Sequence, residues 1–338
     1  MCRSRSSSRT PLCLIAFLLS AVLLSVPGCG TSSLRLPLNR PSLEPFREYE
    51  QQPSTGGPVE ARFLGATSVL FQDGETAILS DGFVTRPGLL RVLLGRISPD
   101  RERIQNTLTR LGLDSIVAVF AGHSHYDHAL DAPVFAQLTG AVLLGSPSTA
   151  NIGRGVGLAD SALRVVGDGE VLRFGKFELT FLESVHSPGD RYPCTVDEPL
   201  VPPARSSAWR TGTTYSVLIR YEGRTILVHG SANYKPGALR GRRVDVIYLG
   251  IGTLGRQSDA FVDAYWDEVV RATGAKRVIL VHWDDFFRSL DQPLRPMPYA
   301  MDSFADSMQH ILRRATADGV EVLLPVPWQP TDPFTGLP

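Results

Sequence analysis

An uninterrupted apolar segment, Ser115–Phe120, leads into the histidine-rich sequence His123-Ser124-His125-Tyr126-Asp127-His128. A run of this kind is typical of a strand buried on both faces of a sheet. Histidines two residues apart on extended backbone point the same way, and imidazole is a common ligand of zinc, copper, iron and nickel. The pair of features therefore predicts a metal site at the carboxyl end of a buried strand. Solvated histidines on a loop are the alternative interpretation.

The rest of the chain alternates between short apolar runs and helical patterns. Turn sequences at Asp73-Gly74 and Glu222-Gly223 each join two such runs and predict a hairpin at the start of each half. The later part of each half carries amphipathic segments, of which Asp100–Leu111, Ala260–Ala272 and Ser303–Ala317 are the clearest. This order predicts an α+β fold, an α/β/β/α sandwich of two mixed sheets with outer helices.

The pattern His-x-His-x-Asp-His resembles the signature of the metallo-β-lactamase superfamily, and the likeness extends from about Ala61 to Leu324. Leu64–Leu70 followed by Asp81 is similar to the opening hairpin of that fold and its first acidic position. Two further histidines, at 186 and 282, stand where the family places its remaining ligands. The resemblance implies one metal bound by three histidines and a second bound by Asp and two histidines, with these residues in the two sets: His123, His125 and His186; Asp127, His128 and His282. It also implies Asp127 as a catalytic residue and Asp81 as a carboxylate that orients a ligand.

One position departs from the family pattern. The resemblance implies an Asp after a Gly at a strand end, bridging the two metals, but Ser231 follows Gly230 here. A hydroxyl is a poor zinc ligand and cannot hold two cations together as a carboxylate does. Ser231 and His229 are therefore possible metal ligands or supporting groups, and a strand-end histidine with a structural role is the alternative for His229. The expected cofactor is Zn²⁺, as one or two ions, with another divalent transition metal possible.

Residues on the substrate side are less constrained by the sequence. Ser187–Thr214 directly follows His186 and has no clear period, so we expect it to form a wall or lid of the site. Trp209 from this segment, and Trp283 and Asp284 after His282, are the predicted substrate-binding residues. Packing or a solvated loop is the alternative for each. Gly153–Gly157 is predicted to be a flexible loop.

The N-terminus predicts export. A basic lead, Met1–Thr10, precedes the apolar run Leu12–Val26, which as a helix would be about 22 Å long and short of the roughly 30 Å hydrocarbon core. The run ends in Val-Pro-Gly before Cys29, which resembles the lipidation site of a bacterial lipoprotein, with plain secretion or an uncleaved anchor as alternatives. The predicted divisions are a signal peptide (1–28), a flexible tether (29–58), a metallo-hydrolase domain (59–330) and a C-terminal tail (331–338).

The chain has a formal net charge of zero and no basic patch, so its overall charge gives no reason to expect nucleic acid or an anionic membrane surface as a partner. The resemblance implies a hydrolase that uses a metal-bound hydroxide to cleave an ester, lactone, amide or phosphodiester, with a small-molecule or lipid substrate. Within the superfamily the motif looks most like the lactonase and phospholipase-like branch. We expect the protein in the cell envelope, as a membrane-anchored lipoprotein or, without lipidation, secreted. A non-catalytic or mononuclear metal-binding lipoprotein of the same fold is the alternative function, and the oligomeric state stays open.

Overall fold

Two seven-stranded mixed sheets form the centre of the molecule. The computed structural model describes residues 35–337, so the predicted signal peptide and Cys29 lie outside the described residues. The first sheet has the order β14-β1-β2-β3-β4-β5-β6, antiparallel from β14 to β3 and parallel from β3 to β6. Its strands are β1 (Glu60–Phe63), β2 (Val69–Gln72), β3 (Ala77–Ser80), β4 (Ala118–Phe120), β5 (Val142–Gly145), β6 (Leu163–Val165) and β14 (Pro330–Thr331).

The second sheet repeats this mixture of directions. Its order is β13-β12-β11-β10-β9-β8-β7, antiparallel from β7 to β10 and parallel from β10 to β13. Its strands are β7 (Val171–Phe174), β8 (Phe177–Ser184), β9 (Thr214–Tyr221), β10 (Arg224–His229), β11 (Val246–Gly250), β12 (Arg277–Val281) and β13 (Glu321–Leu323). The antiparallel part of each half contains the hairpin that the sequence predicts, because Asp73-Gly74 connects β2 to β3 and Glu222-Gly223 connects β9 to β10.

Helices cover the outer face of each sheet. They are α1 (Leu89–Leu94), α2 (Arg101–Leu111), α3 (Tyr126–Ala129), α4 (Ala132–Thr139), α5 (Pro147–Gly155), α6 (Asp259–Trp266) and α7 (Phe304–Asp318). Helix α2 begins where the Asp100 side chain accepts a hydrogen bond from the Arg103 amide and ends at Gly112 in the left-handed region, as its sequence predicts. One π-helical turn, Asp267–Arg271, extends α6. No helix within residues 35–337 is long and apolar enough to span a membrane.

Three apolar layers hold this arrangement together. Between the sheets lie buried rings and branched side chains, including Phe71, Phe120 and Tyr248. Outside the first sheet, Ile104 and Leu108 of α2 pack with Phe135 of α4. Outside the second sheet, α6 and α7 bury a matching layer. The α/β/β/α sandwich predicted from the alternation of elements is confirmed.

The termini differ from the predicted boundaries. Residues 35–58, predicted as part of a flexible tether, lie against the domain: Phe46 is buried and the amide of Gln51 donates to Leu324 O at 2.8 Å. The predicted tail is also held, since Arg277 donates to Pro333 O at 2.5 Å and Phe334 is buried. A tether was predicted because the segment is rich in Pro and Gly, whereas its few apolar side chains find a surface to pack on only after the domain has formed.

The glycine-rich stretch 153–157 is not a simple loop. Gly153–Gly155 form the last turn of α5, which begins at Pro147 with a hydrogen bond from the Thr149 amide to the Ser146 hydroxyl. A Cβ on Gly155 would lie 1.8 Å from Leu200 O, so glycine is needed where the backbone of another segment approaches the helix. Backbone packing therefore explains Gly155, and the prediction of a flexible loop was wrong for Gly153–Gly155.

Candidate metal centre

The six predicted metal ligands come from three separate segments that meet at one edge of the sandwich. The two histidines at 123 and 125 follow β4, and Asp127 and His128 lie on α3 immediately after them. His186 follows β8 by two residues, and His282 follows β12 directly. Strands β4 and β12 belong to the parallel parts of the two sheets, and polar residues beyond the carboxyl ends of such strands commonly form sites. The fold therefore brings together residues that are up to 159 positions apart in sequence.

The first group contains His123, His125 and His186, whose ligand atoms lie within 4.8 Å of one another. Nε2 of His123 is 3.1 Å from Nδ1 of His125, so these two ring nitrogens face the same point. The other ring nitrogen of His125, Nε2, has partners outside the group: Asp190 Oδ1 at 3.3 Å and the Thr211 hydroxyl at 3.0 Å. This arrangement fixes the ring of His125 and leaves Nδ1 for a metal.

The second group contains Asp127, His128 and His282, again with ligand atoms within 4.8 Å of one another. Oδ2 of Asp127 lies 3.2 Å from Nε2 of His282 and 3.7 Å from Nε2 of His128. The other ring nitrogen of His128, Nδ1, is 2.9 Å from Asp81 Oδ2 and 3.0 Å from the Thr67 hydroxyl. Asp81 therefore occupies the position of a carboxylate that orients a ligand.

One buried atom tests directly whether a metal fits. Nε2 of His128 is buried and has no hydrogen-bond partner among the described residues. Buried polar atoms are nearly always paired, so such an atom calls for an unseen partner. It points between Asp127 and His282, and three donors of this kind suit a divalent transition metal. The residues of the second group therefore fit a cation, and the three imidazoles of the first group are donors that suit the same class of metal.

Backbone conformation at two strand ends aims side chains into the site. Asp81 (φ +55°) and His282 (φ +62°) both lie in the left-handed region, which is costly for residues other than glycine. The surroundings hold both in place: the Gly122 amide donates to Asp81 Oδ1 at 2.9 Å, and the His282 amide donates to Ala66 O at 2.7 Å. Strained residues maintained in this way are common at functional sites.

Burial and neighbouring groups shift the pKa values of these side chains toward the protonation states that bind a metal. Burial and the neighbouring histidines lower the pKa of His123 well below its ordinary value, and burial with His125 lowers the pKa of His186 to about 4. Both imidazoles are therefore neutral at pH 7, which is the form that binds a metal. Burial alone would raise the pKa of the Asp127 carboxyl, but the charge of His128 and the hydrogen bond from His282 outweigh it and hold that pKa below its usual range.

His229 and Ser231 are placed differently from the six ligands. Both ring nitrogens of His229 are already paired, Nδ1 with the Ser216 hydroxyl at 2.6 Å and Nε2 with Asn233 O at 2.8 Å. His229 thus has the structural role that the sequence left as its alternative. Ser231 is buried, and it follows Gly230, which adjoins His128, since a Cβ on Gly230 would lie 3.7 Å from Cε1 of His128. Among residues 35–337, the two ligand groups share no carboxylate.

The three predicted substrate-binding residues do not line the site cavity. Trp209 is fully buried in the core cluster beneath α1 and α3, and Trp283 is buried against Phe304 with ring centroids 5.1 Å apart. Asp284 is fully buried, where it pairs with Arg86 and accepts a hydrogen bond from the Ala66 amide at 2.9 Å. These predictions were wrong because proximity in sequence to a ligand does not decide on which side of the backbone a side chain lies.

A cavity of about 530 Å³ opens onto the two ligand groups. His125, Asp127, His186 and His282 lie in its wall, together with Arg191 and Tyr192 of the loop that the sequence predicts as a wall or lid. The apolar part of the wall comes from Phe286, an aromatic residue shortly after His282, and from residues that sequence reasoning missed: Leu89, Val92, Leu93, Phe287, Met297 and Met301. The cavity therefore combines a polar floor with an apolar entrance.

Asp190 is a further residue that sequence reasoning missed. It holds His125 and accepts a hydrogen bond from the Thr211 hydroxyl. Burial alone would raise the pKa of its carboxyl, but hydrogen bonds from His125 and Thr211 keep that pKa well below the usual range. Its spacing of four residues from His186 is the one signal in the sequence, and that spacing alone does not distinguish it from other acidic loop residues.

Comparison with known proteins agrees with this geometry. A family model described as the metallo-beta-lactamase superfamily matches residues 61–325. Igni18, a metallo hydrolase from the archaeon Ignicoccus hospitalis, is similar with a TM-score of 0.51 and 14% identity, over 81% of this chain and 97% of that one. CmlA, a diiron beta-hydroxylase from Streptomyces venezuelae, is similar with a TM-score of 0.51 and 17% identity, over 80% of this chain and 53% of that one. No curated protein sequence matches. At these identities the two structures show a shared fold.

Proposed function

The chain belongs to the metallo-β-lactamase superfamily, and from that membership we propose that it is a metal-dependent hydrolase of the cell envelope. The observation that carries the proposal is the convergence of two groups of three ligand atoms, each within 4.8 Å, at the floor of one cavity. When bound there, a divalent ion, zinc in the first instance, supplies an activated water and polarises the scissile group. An ester, lactone, amide or phosphodiester is the bond type that this chemistry cleaves.

The residues around the site have three roles: holding the ions, orienting the water and orienting the metal ligands. His123, His125 and His186 would hold one ion, and Asp127, His128 and His282 the other. Asp127 Oδ2 accepts a hydrogen bond from His282 Nε2 at 3.2 Å, and the residue lies in the cavity wall. Its carboxylate is therefore placed to orient a water and to carry a proton toward the leaving group. Asp81 and Asp190 act through the histidines that they orient.

The cavity wall favours a substrate with an apolar part. Phe286, Phe287 and Met297 form an apolar surface next to His282, and Arg191 adds a positive charge at the entrance. An acylated or otherwise amphiphilic compound of the envelope fits this combination, because its apolar part would leave water as it enters. Lipidation at Cys29 would bring the domain to such compounds.

Ser231 supports a second candidate function. Without a carboxylate shared by the two groups, the second ion loses a charge that would hold both cations together. A mononuclear or non-catalytic metal-binding lipoprotein is therefore the alternative. The number of bound metal equivalents and the turnover of substrates distinguish it from a two-metal hydrolase.

The test is metal analysis of the purified full chain combined with hydrolysis of ester, lactone and phosphodiester probes. We expect His123→Ala to lower activity by more than about 100-fold and to reduce metal content, because the first group loses a ligand. His310→Ala is the matched control, since His310 lies on α7 and pairs with Asp259 at 3.0 Å, away from the site. Unchanged metal content and unchanged activity in His123→Ala would contradict the proposal. Bound metal without any turnover in the unmodified chain would favour the alternative.

A further inference from the structure

Helix α1 exposes three leucines to solvent. Leu90 and Leu94 are 74% and 76% exposed, and Leu93 is 46% exposed. Residues three and four apart lie on the same face of a helix, so these side chains form one apolar strip. Single exposed leucines are ordinary on protein surfaces, but a contiguous strip marks an interaction site.

The strip lies at the mouth of the cavity over the metal centre. On the inner face of α1, Val92 is buried in the cluster that contains Phe83 and Tyr126. Leu89, Val92 and Leu93 line the cavity that Asp127 and His282 also line. Whatever covers the outer face of α1 therefore stands at the entrance used by the substrate.

A second pair of exposed leucines adjoins the same mouth. Leu36 is 51% and Leu38 is 79% exposed. Their segment is fixed by two hydrogen bonds, from the Ala300 amide to Pro37 O at 2.8 Å and from the Tyr299 amide to Asn39 O at 2.9 Å. Ala300 itself lines the cavity, as do its neighbours Met297 and Met301. We call Leu36, Leu38, Leu90, Leu93 and Leu94 the leucine surface.

The predicted N-terminal anchor is close to the leucine surface along the chain, and this indicates what covers that surface. Arg35 is bound to Asp306 at 2.6 Å, one residue before Leu36. Cys29, the predicted lipidation site, is six residues from Arg35, and a chain of that length reaches at most about 20 Å. The apolar run Leu12–Val26 is only slightly farther away in sequence. Either form of N-terminal anchor would hold this side of the domain close to a membrane.

Charge around α1 suits an anionic membrane surface. Residues 82–99 contain no acidic residue, and Arg91 and Arg96 of this segment are both exposed. Exposed cations next to inserted apolar side chains are the combination by which proteins bind anionic lipid interfaces.

We propose that the leucine surface docks on a lipid bilayer and inserts its side chains among the lipids, so that the cavity mouth opens toward the membrane. The substrate then enters from the bilayer. The proposal rests on the envelope location proposed above but not on hydrolysis, and it assigns the membrane contact to named residues of the folded domain. It predicts binding that weakens as salt screens Arg91 and Arg96.

The experiment uses the full chain in vesicles of phosphatidylcholine and phosphatidylglycerol whose acyl chains carry bromine. A tryptophan probe is introduced as Leu94→Trp, and the matched control is Val171→Trp, which is 48% exposed on the edge strand β7. We expect the Leu94→Trp emission to shift to shorter wavelength and to be quenched by brominated acyl chains, whereas Val171→Trp keeps its emission. Leu90→Trp replaces the first probe if Leu94→Trp fails to fold.

The outcomes separate this proposal from the proposed function. Unquenched probes at both α1 positions overturn docking, even when the same sample hydrolyses its substrate. Docking is also overturned if the emission shift depends on protein concentration and not on lipid concentration. The leucine surface is then an interface between copies of the chain. Quenched α1 probes in a chain without metal or turnover leave docking in place and sink the proposed hydrolase.

Discussion

At the scale of single residues, the site depends on carboxylates that hold imidazoles in place. Asp81 bonds Nδ1 of His128, and Asp190 bonds Nε2 of His125, so each group has one histidine oriented by an acid. Such supporting residues fix the tautomer and ring angle of a ligand and raise its basicity. We therefore expect Asp81 and Asp190 to tune metal affinity through the histidines that they orient.

We predict that Asp190→Asn weakens metal binding by about 10- to 100-fold, because His125 loses the charge that orients its ring. Equilibrium dialysis with zinc measures the change. Asp197→Asn is the control, since Asp197 lies in the same loop but is exposed and accepts a hydrogen bond from the Thr195 hydroxyl at 2.6 Å. Equal zinc affinity in both variants would contradict the assigned role of Asp190.

Ser231→Asp is predicted to strengthen binding of the second metal equivalent by about tenfold or more, because Ser231 follows Gly230, which adjoins His128, and a carboxylate there adds one negative charge near the cation. Ser231→Asn is the matched control, as it has nearly the same shape without the charge. Titration with zinc or cobalt measures the two equivalents separately. An unchanged second equivalent in Ser231→Asp would show that this position no longer faces the metals.

At the scale of elements, strand ends supply the chemistry and short helices position it. The ends of β4, β8 and β12 place the histidines, and the four-residue helix α3 carries Asp127 and His128. The hairpins, α2 and the buried strands could be predicted because their periodicity and turn residues are local signals. The terminal segments could not be predicted, because residues 35–58 have little structure of their own and acquire it by packing on α7.

The packing of this N-terminal segment gives a test. Phe46 lies in the short helical segment Glu44–Tyr49, with its ring centroid 5.4 Å from that of Phe304. We predict that Phe46→Ala lowers the free energy of unfolding by about 2–4 kcal/mol, because it leaves a cavity against α7. Urea unfolding measures the loss. Leu38→Ala, at an exposed position, should change stability by less than about 0.5 kcal/mol, and an equally small effect for Phe46→Ala would indicate a loose tether.

At the scale of the whole molecule, the two sheets must keep a fixed relation for the ligands to converge. A fully buried ion pair joins them: Arg86 follows β3 of the first sheet and Asp284 follows β12 of the second. Asp284 is two residues from His282, and it also accepts a hydrogen bond from the Ala66 amide. Asp284, which the sequence predicted to bind substrate, thus connects the two halves of the molecule next to the site.

We predict that Arg86→Met lowers the free energy of unfolding by about 3–5 kcal/mol, because it leaves the Asp284 carboxylate buried without a partner. Chemical unfolding measures this, and the double variant Arg86→Met with Asp284→Leu should recover part of the loss. Arg173→Met removes an exposed pair with Glu178 and should cost less than about 1 kcal/mol. A similar small cost for Arg86→Met would mean that the buried pair does not hold the halves together.

Patterns in the sequence were sufficient to predict the fold class and to name six candidate metal ligands, which the structure brings together. Both follow from local patterns: strand and helix periodicity for the fold, and a resemblance carried by residues 123–128 for the site. Tertiary structure alone decided which neighbouring side chains face the cavity. It sends Trp209, Trp283 and Asp284 into the core, and it brings Asp190 to His125 and the leucines of α1 to the entrance. The reason is physical: side-chain direction depends on the backbone angle at each loop residue, and those angles are set by contacts between segments distant in sequence.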